Sequence, residues 1–290
     1  MIRTRYVMVA GRRTRVRTAG DTRNPTVLLL HGIGRSLEDW DLQFPLLARR
    51  WRVVALDLPG FGFSERRPEP ASLEGFARGV LETMDELGQE GPFHVVGNSL
   101  GGAVAQKILA MEPDRVTSLV LVNSAGFGSE VALPLRIVAL RGVGPALLKR
   151  TSAKGVRSSE AMIFADPRLA TPERVDHALA IAERSDPSAT MHEAARALAT
   201  VRGVRPEWRS ALLHDTAAHR RPTLIVWGDR DRILPAKHMS AAAQAYPHAR
   251  RHVFDGIGHM PQIECPDAFA EQVETFLVAQ SETGLTQSRG

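Results

Sequence analysis

Three short apolar runs set the tightest limit on how this chain can fold. Residues 25–30 read Pro-Thr-Val-Leu-Leu-Leu, 52–56 read Arg-Val-Val-Ala-Leu and 93–97 read Phe-His-Val-Val-Gly. A strand with one wet face alternates apolar and polar residues; a strand buried on both faces does not need to. Between these runs the spacing becomes helical. Leu73, Phe76, Val80, Leu81, Met84 and Leu87 recur at helical intervals over 73–87, and Gly88 is placed to end that helix. Residues 100–111 read as a second helix, stopped by Glu112-Pro113. Strands at 116–122, 222–227 and 251–254 and helices at 236–246 and 266–279 continue the pattern, with Pro266 near the first turn of the last helix. Alternating strand and helix predicts an α/β fold, a parallel sheet covered on both faces.

Two stretches break the rhythm. Residues 6–10 and 13–18 alternate around Gly11 as a hairpin does, which brings the strands to eight. Residues 130–212 contain no strand-like run and are punctuated by Pro134, Pro145, Pro167, Pro172, Pro187 and Pro206. This segment is too long for a connection. It is expected to be a helical lid inserted after the sixth strand, dividing the chain into a core of 1–129 and 213–290 and a lid of 130–212. The tail, 280–290, is polar and reads as mobile.

Composition narrows the function classes. With 290 residues, 43% of them hydrophobic, the chain can bury one large core. The formal net charge of +5 comes almost wholly from arginine, since Lys107, Lys149, Lys154 and Lys237 are the only lysines. Those arginines are dispersed among 32 acidic residues without a basic stripe interleaved with aromatics, which argues against nucleic-acid binding. Cys265 is the only cysteine, so no internal disulfide can form. No apolar stretch follows the charged first residues as a signal peptide would, and none is long enough for a membrane span. The expectation is a cytoplasmic protein that acts on a small molecule; the oligomeric state is left open.

The chemistry concentrates in Gly97-Asn98-Ser99-Leu100-Gly101-Gly102, which follows a strand and opens a helix. A strand that turns abruptly into a helix leaves no room for side chains on either side, and it pushes the hydroxyl at the apex into the open. A serine hydroxyl needs a base, and His259 lies in a glycine-flexed loop after the last strand, at the sheet edge where Ser99 must also lie. The base needs an orienting acid. Asp231 follows another strand at that edge with room to reach the histidine, whereas Asp229 comes only two residues after Trp227 and Asp255 is too close to His259. The slot after the preceding core strand holds Asn123, an amide that cannot stabilise an imidazolium as a carboxylate does. The oxyanion donors are expected to be the N–H groups of Leu100, at the helix N-terminus, and Ile33, in the loop His31-Gly32-Ile33-Gly34. His31 reads as a structural residue of that loop.

With these residues in place the chain resembles the α/β-hydrolase superfamily over essentially its whole length. His31-Gly32-Ile33-Gly34 with Ser36 and Trp40 is similar to the family's oxyanion loop, and Asp57-Leu58-Pro59-Gly60-Phe61-Gly62-Phe63-Ser64 to its D-x-P-G-x-G-x-S stretch. The elbow, the Gly228-x-x-Asp231 acid and the Gly258-His259 loop follow in the family's order. The resemblance implies a serine hydrolase that cleaves a small-molecule carboxylic ester through a Ser99-His259-Asp231 triad, with no metal or organic cofactor. Asn98 in the elbow is also similar to carbon–carbon hydrolases that act on 2-hydroxy-6-oxo-dienoate ring-fission products, so that reaction is the alternative. Arg35 and Met260 depart from that subgroup, where a further glycine and a tryptophan are usual. Cofactor-free perhydrolases use the same triad, and a non-catalytic ligand-binding protein of this fold is the reading from another class. Ser99 sets the chain apart from dehalogenases and epoxide hydrolases, which use aspartate.

Substrate choice should lie in the lid. Its first part carries Arg141, Lys149, Arg150, Lys154 and Arg157. These either attract a substrate carboxylate or carrier phosphate or, the simpler reading, form a solvated basic face. Ile163, Phe164, Leu179 and Ile181 either line a pocket or seat the lid on the core.

Overall fold

The computed structural model describes residues 2–150 and 152–287. β1 (Arg3–Val9) and β2 (Arg12–Ala19) form the predicted hairpin, turned by Ala10 and Gly11 with φ of 46° and 78°. β3 (Thr26–Leu30), α1 (Phe44–Leu47), β4 (Arg52–Leu56), α2 (Leu73–Glu86), β5 (Phe93–Asn98), α3 (Leu100–Met111) and β6 (Val116–Val122) follow. Next come α4 (Leu133–Val138), α5 (Val143–Lys149), α6 (Ala153–Ile163), α7 (Pro172–Ala182) and α8 (Ser185–Leu198). A small ribbon of β7 (Ala199–Thr200) and β8 (Gly203–Val204) leads to α9 (Pro206–Ala217). The chain closes with β9 (Thr223–Gly228), α10 (His238–Ala245), β10 (Arg250–Phe254), α11 (Pro261–Glu264) and α12 (Pro266–Gln287).

Eight strands form one sheet in the order β1-β2-β4-β3-β5-β6-β9-β10. It is parallel from β4 to β10 and antiparallel where β1 and β2 join, which is the predicted mostly parallel eight-stranded sheet. The unbroken apolar runs have the reason expected of them. In β3, Leu28 and Leu30 enter one core while Val27 and Leu29 enter the other. β4 divides the same way, with Val54 and Leu56 against Val53 and Ala55, as does β9, with Ile225 and Trp227 against Leu224 and Val226. The first core is closed by α2 and α3, and the second by α1 and α12. Each fully buried side chain contributes about 1.5–3 kcal/mol, so both faces are heavily stabilised.

The chain between β6 and β9 is helical apart from the β7–β8 ribbon, whose two-residue strands are too short to leave a period in the sequence. Within that ribbon a Cβ on Gly203 would sit 2.2 Å from the Ser129 carbonyl oxygen. α9 spans position 212–213, where the sequence reading divides lid from core, and it contacts α3. α12 continues past 279 through Gln287, so the predicted polar tail is helical to that point; residues 288–290 lie outside the described residues. Among the described residues no helix is long and apolar enough to cross a membrane.

Candidate active site

Ser99 is the single residue between β5 and α3, with φ 55° and ψ −116°. L-residues avoid this region, at a cost of about 1–3 kcal/mol, and hold it only when neighbours fix it. Here they do. Ser99 N–H donates to the Val122 carbonyl at 3.0 Å, and its own carbonyl accepts from Gly102 N at 3.1 Å and Ala125 N at 3.0 Å. The glycines are forced by contact: a Cβ on Gly97 would lie 2.3 Å from Gly101 O, and one on Gly101 would lie 2.2 Å from Leu30 O.

The structure joins His259 to Asp231. The ring Nδ1 donates to Asp231 Oδ2 at 2.7 Å, and both side chains are buried. The same oxygen accepts from Asn123 Nδ2 at 2.7 Å, while Oδ1 accepts from Ile233 N at 2.7 Å and Leu234 N at 3.0 Å. Four donors thus hold a buried carboxylate in one orientation. Trp227 Nε1 pins the same loop through Leu234 O at 3.0 Å. Asp229 serves elsewhere, accepting from Gly256 N at 2.7 Å, and Asp255 is exposed. Asn123, passed over because it is an amide, proves to be a donor to the acid.

The loop carrying Ile33 lies against the elbow, since a Cβ on Gly32 would be 3.3 Å from Ser99 Cβ. His31 holds this loop: Leu58 N–H donates to its Nε2 at 2.9 Å, and its Nδ1 donates to Gly32 O at 2.8 Å. Complete burial lowers its pKa, in keeping with this neutral tautomer. The neighbouring Asp57 accepts from Arg15, Leu37 N and Phe63 N, so the Asp57–Ser64 motif is a brace beside the site. Leu100 opens α3, where the first N–H groups have no partner inside the helix.

Ser99, His259 and Ile33 line one cavity of about 810 Å³. Leu135, Val138, Met162, Ile163, Ile181 and Met191 give it an apolar wall, and Arg35, Glu160, Arg174 and His177 a charged one. Among the described residues the only hydrogen bond of the His259 ring is to Asp231, so its contact with the Ser99 hydroxyl is not formed in this state. Such contacts often tighten only once substrate is bound.

Three ties sequence reasoning missed connect this region to α6 and the turn after it. His259 N–H donates to Ile163 O at 2.9 Å. The Glu264 carboxylate accepts from Gly258 N at 3.0 Å and Met260 N at 3.2 Å through Oε1, and from Ala165 N at 2.8 Å through Oε2. Burial pushes its pKa up, with the N–H groups opposing. Arg35, just after the Ile33 loop, pairs with both Asp39 and Glu160 of α6. No spacing rule marks Glu264, because its partners are backbone groups of another segment. Asn98 Nδ2 donates to His259 O at 3.0 Å and Val122 O at 3.3 Å, which gives the elbow's amide a structural task.

Of the lid residues singled out above, Ile163 and Ile181 line the cavity, while Phe164 is buried with Met260 and Ile263 under the Arg174 guanidinium. Leu179 is partly buried and does not line this cavity. Arg150 reaches the cavity wall; Arg141, Lys149, Lys154 and Arg157 do not. Among the described residues no three His, Cys, Asp or Glu side chains are grouped to hold a metal ion. Burial pushes the Cys265 thiol up to about 11, which makes it a poor nucleophile.

Residues 25–266 match the family model described as alpha/beta hydrolase fold. A dihydrolipoyllysine-residue acetyltransferase component of an acetoin cleaving system from Pseudomonas putida is 32% identical over 269 residues, covering 93% of this chain and 68% of that protein. A 2-hydroxymuconate semialdehyde hydrolase from a Pseudomonas species is 32% identical over 286 residues, covering 94% of this chain and 93% of its own. Among solved structures, a meta-cleavage product hydrolase from Pseudomonas fluorescens superposes with a TM-score of 0.79 at 26% identity, over 95% of this chain and 97% of that one. With its sheet order, its strained elbow and a family match across most of its length, the chain belongs to the α/β-hydrolase fold family.

Proposed function

We propose that this protein is a serine hydrolase that cleaves a small-molecule carboxylic ester through an acyl-enzyme, with Ser99 as nucleophile. The observation that carries the reading is the buried His259–Asp231 pair at 2.7 Å on the cavity that also holds the strained Ser99. His259 takes the Ser99 proton as the hydroxyl attacks the ester carbonyl, and Asp231 stabilises the imidazolium. The N–H groups of Ile33 and Leu100 receive the developing oxyanion. The protonated ring then gives its proton to the leaving alcohol. Water, deprotonated by the same ring, attacks the acyl carbonyl, and the acid departs with Ser99 regenerated. The helices from α4 to α8 act as a cap over the cavity, whose apolar wall suits an ester with a hydrocarbon acyl or alcohol part.

Carbon–carbon hydrolysis is the second reading, favoured by the similarity to a protein named a meta-cleavage product hydrolase and to one named a 2-hydroxymuconate semialdehyde hydrolase. Comparing kcat/KM for short p-nitrophenyl esters and for a coloured 2-hydroxy-6-oxo-dienoate separates the two. The ester reading expects the esters to be turned over at least as well. A preference of several hundredfold for the dienoate replaces it with the second.

A further inference from the structure

Between residues 131 and 159 the chain has six cations, Arg136, Arg141, Lys149, Arg150, Lys154 and Arg157, and no acidic residue. The formal net charge of the whole chain is +5, so outside this stretch acids slightly exceed bases. The positive excess of the protein therefore resides in one segment, α4 to α6. All of these cations but Arg136 are exposed, and among the described residues none of the six is in an ion pair. The same segment exposes Leu133 at 64%, Val143 at 50% and Leu147 at 49%, among the most exposed large apolar side chains of the protein. Leu147, Leu148 and Arg150 also line the cavity that holds Ser99, so the cavity reaches this surface.

We propose that the outer surface of α4–α6 docks on an anionic lipid membrane. Cations would lie among headgroups and Leu133, Val143 and Leu147 at the acyl boundary, the combination by which helices lie on membrane surfaces. A nucleic-acid partner fits less well, because this stretch has no aromatic residue to stack on bases. Docking there would set the mouth of an apolar cavity against the phase in which a poorly soluble ester dissolves. That use of the surface rests on the ester reading; the docking itself does not.

Co-sedimentation of the 290-residue Ser99→Ala protein with unilamellar vesicles tests the docking apart from any turnover. Vesicles of phosphatidylcholine with phosphatidylserine should bind at least tenfold more protein than phosphatidylcholine alone, and raising the salt to about 0.5 M should remove the difference. Replacing Arg141, Lys149, Lys154 and Arg157 together by Gln should abolish binding with the melting temperature unchanged. Leu133→Ser with Leu147→Ser should reduce it severalfold at constant charge. No preference for phosphatidylserine, binding indifferent to salt, or undiminished binding by the Gln variant overturns the proposal. So does tighter binding to a single-stranded RNA than to the anionic vesicles.

Discussion

At the core end of the cavity, each oxygen of Asp231 accepts two hydrogen bonds, and His31 is tied through both ring nitrogens. At the end formed by α4 to α6, the chain from 131 to 159 is mostly exposed, and its cations stand without acidic partners among the described residues. The first region holds a few groups in one arrangement; the second presents charge and apolar surface outward. Ties between the core and the helices over the cavity include Ala132 N–H to Ile233 O, Ala165 N–H to Glu264, His259 N–H to Ile163 O and Arg35 to Glu160. Chemistry that depends on sub-ångström placement belongs on the first kind of structure, and recognition can vary on the second. Each of the following experiments loads one region and leaves the other alone.

The largest effect should come from the core. Asp231→Asn should lower kcat toward a p-nitrophenyl ester by about 10⁴-fold, and should lower the melting temperature as well because the amide nitrogen faces donors that the lost oxygen accepted from. Asp229→Asn, whose partner is a turn amide, should change kcat by less than about twofold. Equal losses would show that the buried carboxylate is not special.

Next in size is a stability effect from the core, at the far end of β5 from Ser99. Burial lowers the pKa of His94 to about 4, so the unfolded chain, titrating near 6.5, binds this proton first as the pH falls. The contribution of neutral His94 is therefore complete above about pH 6.5 and is lost progressively down to about pH 4, about 3 kcal/mol in all. His31, also lowered by burial, acts in the same direction. Denaturant unfolding across that window should show the decline, and His94→Gln should flatten it. An unchanged slope would show that His94 is not buried as described.

The seam should give a smaller, kinetic effect. Glu264→Gln keeps the size but loses one of the two acceptor oxygens, so Ala165 N–H or the loop around His259 is released. A fall in kcat of roughly tenfold is expected from misplacement of the base. A variant that changes only the melting temperature would reduce Glu264 to a structural tie. Smallest of all, Cys265→Ala should stay within about twofold of the parent in kcat, and iodoacetamide near pH 7 should not inactivate, because the thiol stays protonated.

How far the sequence could be read follows the same division. The sheet was legible because apolar runs such as Val27 to Leu30 must face two cores, and the elbow because Gly97 and Gly101 have no space for a Cβ. Asp231 could be separated from Asp229 by counting residues past a strand, which is a question of reach along one loop. Asn123, Glu264 and the Asn98 amide were not legible as members of the site, since each acts on a partner distant in sequence or on a backbone group. The basic residues between 141 and 157 were visible from the start. Which of them turn toward the cavity depends on helix packing, and only Arg150 among the five singled out does.

The central claim is that Ser99, activated from this rigid end, is the nucleophile. A fluorophosphonate probe followed by peptide mass mapping tests it most directly. A single phosphonylated peptide is expected, modified at Ser99, with labelling slowed by orders of magnitude in His259→Ala and absent in Ser99→Ala. A folded protein that takes no label, or one labelled equally well after Ser99→Ala, would contradict it.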